Sequence, residues 1–160
     1  MQGHPANAPP VNAALGKLSS GARSEIPVIL QATPADAAPC CLAMVLAHFG
    51  REIRVEEVRQ TMSVDRDASA RAILSAASLH GLRGRAVRVP LEELAQMQPG
   101  AILQWGFAHF VVLEKVHGPK LRIVDPAAHH RGLREDPIGH RGDVRALADP
   151  DAEIERELRL

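Results

Sequence analysis

The chain has no tyrosine, one tryptophan and three phenylalanines among its 160 residues. With so few rings, an aromatic beside polar chemistry carries information. Charge of one sign is also lacking: 19 Lys and Arg stand against 19 Asp and Glu, a formal net charge of zero. A nucleic-acid binder usually shows a basic excess, so that class is set aside. No apolar run approaches the roughly 20 residues that cross a bilayer as a helix. The N-terminus has neither a basic n-region nor an apolar h-region and does not read as a secretory signal. The only cysteines, Cys40 and Cys41, are chain neighbours and cannot form an ordinary structural staple together. A reducing, cytoplasmic setting is the simplest expectation.

The length suits one domain with a real core. Residues 1–25 are rich in Pro, Ala, Asn, Ser and Gly and read as a mobile arm. The folded domain is expected over 26–150, opening with the short extended piece "IPVILQ". Residues 151–160, "DAEIERELRL", read as a linker or the start of a following segment.

Asp36 is a plausible N-cap for a helix beginning at Ala37. Pro39 falls in its first turn, where a missing N–H costs nothing. Leu42, Val45, Leu46 and Phe49 follow the spacing of one buried face, and Gly50 is a natural stop. A second helix is expected over "VEEVRQTM", with Val55, Val58 and Met62 on one side. A third runs through "SARAILSAASLHG", with Ala70, Ile73, Leu74 and Ala77 inward and Gly81 as the stop. The period then changes. "LRGRAVRV" alternates like a strand, "LEELAQM" after Pro90 is a small helical turn, and "AILQW", "HFVVLEKV" and "KLRIVD" are strands, the last two joined by "HGPK". Helices followed by an antiparallel sheet make an α+β domain.

Four residues suggest chemistry. The start of a helix favours negative charge and lowers the pKa of a thiol; position 37 has that placement. His109 opens a strongly apolar strand, where burial alone explains an imidazole poorly. Asp125 ends the next strand and is placed to orient that ring. Gln31, six residues before position 37, can supply a side-chain amide to an oxyanion hole. Singly, each has a plainer reading: a bonded structural His, a turn-forming Asp before Pro, a polar strand end.

Together, "PVILQ", the helix "CLAMV" running to "FG", "AILQW", "HFVVLEKV" and "RIVDP" resemble the bacteriocin-processing cysteine peptidases, the N-terminal cytosolic domain of peptidase-containing ABC transporters. The likeness runs from about Pro27 to about Glu155 and includes "LHGLRGRAVRV" and "LEEL" at fitting places. The closing "RGDVRALADPDAEIERELRL" resembles the stretch leading from this domain toward membrane helices. The resemblance implies a papain-like fold and cleavage of a leader peptide after a double-glycine motif, coupled to export. It implies Gln31 as the oxyanion-hole glutamine, His109 as general base, Asp125 as the third member and Cys41 as a packing cysteine. Trp105 matches a tryptophan four residues before the histidine; with Asp36 it is expected at the leader-binding groove. The implied partners are the leader of an exported peptide and the membrane and ATP-binding parts of a transporter. No cofactor is implied.

The departure is at the nucleophile. Where the family has acid-Cys-Gly, this chain has Asp36-Ala37-Ala38, and a methyl group cannot attack a carbonyl. Cys40 is a poor substitute: it lies about 4.5 Å further along the helix axis, and a 1 Å misplacement can cost about a hundredfold in rate. Three readings stay open at this point. One is a double-glycine peptidase whose nucleophile has been exchanged for Ala, binding leader without cutting. The second is a degenerate peptidase-like domain that docks export substrates in type I secretion. The third is a structural module of a transporter. A metal site at His129 and His130 is not expected, because no second ligand pair is spaced to join them. His48 and His80 are expected merely to complement helix ends.

Overall fold

Helices come first and strands second. The computed structural model describes residues 25–62, 69–105, 109–118, 120–128, 132–134 and 144–148. A 3-10 turn at Pro34–Asp36 runs into helix α1 (Ala37–His48), followed by α2 (Val55–Thr61) and α3 (Ala70–Leu79). The strands are β1 (Arg85–Val89), β2 (Ile102–Trp105), β3 (His109–His117), β4 (Lys120–Val124), β5 (Gly132–Arg134) and β6 (Val144–Ala148), with a 3-10 turn at Leu91–Gln96 after β1. The expected arm and tail, and the His129–His130 pair, lie outside the described residues.

The helix ends follow their local sequence. Ser69 caps α3 through its hydroxyl, which accepts the Ala72 N–H at 3.2 Å. Gly50 and Gly81 take φ of +84° and +80°, which glycine reaches without a Cβ penalty. These turns let Arg51 N–H reach Leu46 O at 2.8 Å and Leu82 N–H reach Ala77 O at 2.9 Å, closing each helix in a Schellman arrangement. Val58, Met62, Ile73 and Ala77 are buried as expected, and Val55, Ala70 and Leu74 pack against the same core.

Helix α1 departs from the one-faced expectation, because every residue from Ala37 to His48 is buried. It packs against α2, α3 and the sheet strands β2 and β3. Its many small residues (four alanines and two cysteines among them) let neighbours approach from several sides. Phe49, assigned inward from spacing, instead lies past the helix end and is 40% exposed. His48 is buried and its Nδ1 has no partner among the described residues. Burial pushes its pKa down, against the opposing pull of Glu114. It is therefore held toward the neutral form and does not serve as the cation expected at this helix end.

The six strands form one antiparallel sheet in the order β1-β6-β2-β3-β4-β5. Alternate residues of β3 serve two cores. Phe110 and Val112 join the helices, while Val111 and Leu113 join Leu103, Ile123 and Leu94 on the other side. Burial on both faces explains why "HFVVL" reads as a continuous apolar run. Strands β5 and β6 correct the sequence reading. The piece "VRALA" lies inside the expected domain but was given no strand; it sits between β1 and β2, pairing Val144 with Val89 and Leu147 with Ile102. Its partners are remote in sequence, so nothing local announces them.

"IPVILQ" joins no strand among the described residues. It is fastened at both ends instead. Ile26 N–H donates to Glu114 Oε1 at 3.1 Å, and Gln31 N–H to Pro126 O at 2.9 Å. Glu114 stands where the β3–β4 register shifts between Leu113 and Lys115. A ladder irregularity of this kind can re-aim a side chain, and this one carries a buried carboxylate. Its Oε2 lies 2.8 Å from Arg122 Nε on β4.

Candidate active site

His109 begins β3 and Asp125 follows the last residue of β4, so the pairing of these strands brings the two side chains together. His109 Nε2 lies 2.9 Å from Asp125 Oδ1, with the side chains 32% and 18% exposed. The same oxygen accepts the Ala127 N–H at 2.8 Å, and Asp125 O accepts the Ala128 N–H at 3.1 Å. The turn after β4 thus fixes the carboxylate before it meets the ring. With Nε2–H donating to Asp125, a neutral imidazole keeps its lone pair at Nδ1. That is the arrangement of an oriented general base.

The segment bearing Gln31 is tied to the same turn through Pro126 O, the residue after Asp125. Gln31 Oε1 is buried and finds no hydrogen-bond partner among the described residues. One residue earlier, Leu30 O accepts from Cys40 Sγ at 3.6 Å, which joins this segment to the first turns of α1. Asp125 also acts on Cys41, whose thiol is raised by burial first and by Cys40 and Asp125 besides. Residues 37 and 41 are four apart and share a helix face. The segment bearing Gln31 is thus tied both to the turn after β4 and, through Leu30, to the first turns of α1.

Position 37 is buried, as is Ala38. Its N–H donates to Pro34 O. The 3-10 turn feeding α1 consumes it in an i to i+3 bond. Cys40 is 1% exposed. Burial, reinforced by the negative charge of Asp36, pushes its thiol up to about 11 although Arg59 opposes the shift. A thiol so placed is overwhelmingly protonated at neutral pH and is no nucleophile.

Asp36 takes a different place from the one expected. It makes no side-chain cap bond to α1. Oδ2 accepts the Thr33 N–H at 2.9 Å and the Thr33 hydroxyl at 3.0 Å. Oδ1 accepts Arg59 Nε at 3.0 Å and Nη2 at 2.7 Å. Burial alone would raise its carboxyl; the bonds from Thr33 and Arg59 outweigh that and hold it below the ordinary carboxylate value. With both oxygens occupied and the residue buried, the carboxylate props the helix start and is not presented to a ligand. Trp105 pairs with His109 across β2 and β3; the groove role expected of its ring lies outside the described residues. Arg59, Thr33 and Glu114 were not singled out from sequence. "VEEVRQTM" reads as an ordinary amphipathic helix, and nothing in it marks Arg59 as reaching another element.

The model of the Peptidase C39 family matches residues 25–138. The chain belongs to the peptidase C39 family. It is similar, at 36% identity over 112 residues, to a probable microcin-H47 secretion/processing ATP-binding protein of Escherichia coli. It is 36% identical over 110 residues to the colicin V secretion/processing ATP-binding protein of the same organism. Those stretches cover 69% and 68% of this chain but only 16% and 15% of the relatives, so the chain spans about a sixth of their length. Among solved structures it resembles a double-glycine-motif protease from an AMS/PCAT transporter in complex with the leader peptide. The TM-score is 0.65 at 32% identity, covering 80% of this chain and 94% of that one. The peptidase domain of Streptococcus ComA, at a TM-score of 0.65 and 20% identity over 78% and 98% of the two chains, shares the fold. This C39 chain thus has the α+β papain-like architecture its sequence suggested. No helix among the described residues is long and apolar enough to cross a membrane. No group of three or more His, Cys, Asp or Glu among them is placed to hold a metal ion.

Proposed function

We propose that this chain is a double-glycine leader-binding domain of an ABC exporter, carrying the peptidase machinery without its nucleophile and so binding leader without cleaving it. The observation that carries the reading is the His109–Asp125 pair at 2.9 Å, kept beside a helix whose first residue, Ala37, has no group able to attack. Covalent hydrolysis needs a thiolate to add to the scissile carbonyl and a base to generate it. His109 and Asp125 are suited to the second task, and Gln31 to donating toward the oxyanion. Nothing at position 37 performs the first, and the raised thiol of Cys40 does not replace it. The exporter context and leader come from the relatives named above, and the site would act on the cytoplasmic face of a membrane.

The test is restoration. Ala37→Cys is mixed with double-glycine leader peptides beside the Ala37 form, and products are read by mass spectrometry. Cleavage by the Ala37→Cys form alone supports the reading. A folded Ala37→Cys protein that binds leader but never cuts it refutes an intact machinery.

That second outcome favours the other reading, a degenerate docking module for export substrates. One observation leans that way: the N–H of residue 37 is already spent on Pro34 O, which leaves the Gln31 amide to serve an oxyanion alone.

A further inference from the structure

The start of α1 carries an ion pair that the function proposed above does not use. Asp36 adjoins position 37, and its side chain is 7% exposed. Two nitrogens of Arg59 converge on Oδ1, while Thr33 fills Oδ2. Arg59 comes from α2, which packs against α1, and half of its side chain remains in solvent. One side chain from a second helix therefore clamps the residue that precedes the nucleophile position.

The clamp has an electrical consequence. One turn into α1, Asp36 raises the Cys40 thiol and Arg59 opposes it. Position 37 is the immediate chain neighbour of Asp36, so the same opposition bears on it at shorter range. Further acidic groups bear on this end of the helix. Glu56 of α2 also raises Cys40, and Asp125, bonded to His109, raises Cys41.

We infer that Arg59 is a positioning residue for position 37: through Asp36 it fixes the first turn of α1 and neutralises the carboxylate beside the nucleophile position. Asp36 alone at a helix start would oppose the thiolate that the site requires; paired with Arg59 it keeps the structural contact without the net charge. The inference rests on position 37 being the nucleophile position.

The experiment titrates the thiol of Ala37→Cys by the ultraviolet absorbance of its thiolate across pH, a readout that burial of position 37 does not block, with the Ala37 protein as the blank for Cys40 and Cys41. Adding Arg59→Gln should raise the midpoint by about one unit, a tenfold loss of thiolate at neutral pH. A nearby opposite charge moves a pKa by roughly one to three units, and the lower end applies because Arg59 is half exposed. Arg59→Lys, which keeps the charge, should return most of the shift. An unmoved midpoint in a folded Arg59→Gln protein overturns the inference. If Arg59→Gln loses the far-UV spectrum of its parent, Asp36→Asn decides: its midpoint should fall, and an unchanged value overturns the inference equally. The readout does not require cleavage. A restored thiol that fails to cut leader removes the proposed function but leaves the midpoint comparison standing, whereas cutting with unmoved midpoints removes this inference alone.

Discussion

Glu114→Ala should destabilise the protein by about 3 kcal/mol, and the structure says where that comes from. The carboxylate is buried, with 4% of its side chain exposed. It accepts the N–H of Ile26, a residue with 0% exposure. Losing that acceptor strands a buried donor, at roughly 1–3 kcal/mol. Arg122 loses this partner as well, but it keeps Glu25 at 4.0 Å, is 34% exposed and recovers water, so that loss is nearer about 1 kcal/mol. With a urea m-value of about 2 kcal/mol/M, the midpoint should fall by roughly 1.5 M at unchanged slope. Fluorescence of the single tryptophan or circular dichroism follows the transition. Glu114→Gln keeps an acceptor for Ile26 and loses only charge, so it should cost about 1 kcal/mol. Amide exchange at Ile26 should accelerate in the Ala variant and much less in the Gln variant. If Ala costs under about 1 kcal/mol, or Gln costs as much as Ala, the carboxylate is not what fastens the segment that leads to Gln31.

Other outcomes follow from single features. His48 has a pKa held down by burial. The unfolded chain therefore takes up its proton at higher pH than the folded one, and stability falls as pH drops below about 6.5, levelling off below the folded value; urea midpoints across that range should lose part of their slope in His48→Gln, and an identical slope would rule out this source. With both thiols raised by burial, iodoacetamide at neutral pH should leave the native protein unmodified and label two thiols in urea; rapid native labelling would contradict the burial described here. Trp105→Ala should weaken leader binding in calorimetry, and equal affinity would count against the expected groove.

The helix boundaries were legible because their punctuation is local. Gly50 and Gly81 stop helices where their positive φ lets the chain turn, and Ser69 starts one with its own hydroxyl. The His109–Asp125 pair was legible because two adjacent strands with a short connection leave few registers. What escaped reading depends on partners far along the chain. Nothing in "VRALA" says that it separates β1 from β2. Asp36 has the chemistry of an N-cap, but its carboxylate is taken by Thr33 within the 3-10 turn and by Arg59 arriving from α2. Periodicity pointed to one buried face on α1, whereas its small residues let neighbours close around it. His48 looked like a cation for a helix end until packing removed the water that would stabilise its charge.

The position of β6 bears on the order in which the molecule can be assembled. Both of its neighbours, β1 and β2, precede it, and β2 pairs with β3 through a register of its own. During synthesis the helices and the β2–β5 ribbon can form early, but β1 has no sheet neighbour until residues 144–148 are available. Until then the growing chain exposes two unpaired edges, the kind that recruit other strands. The family match ends at residue 138, six residues before this strand begins. A fragment cut at that point would keep His109, Asp125 and Gln31 and still lack the keystone that closes the sheet.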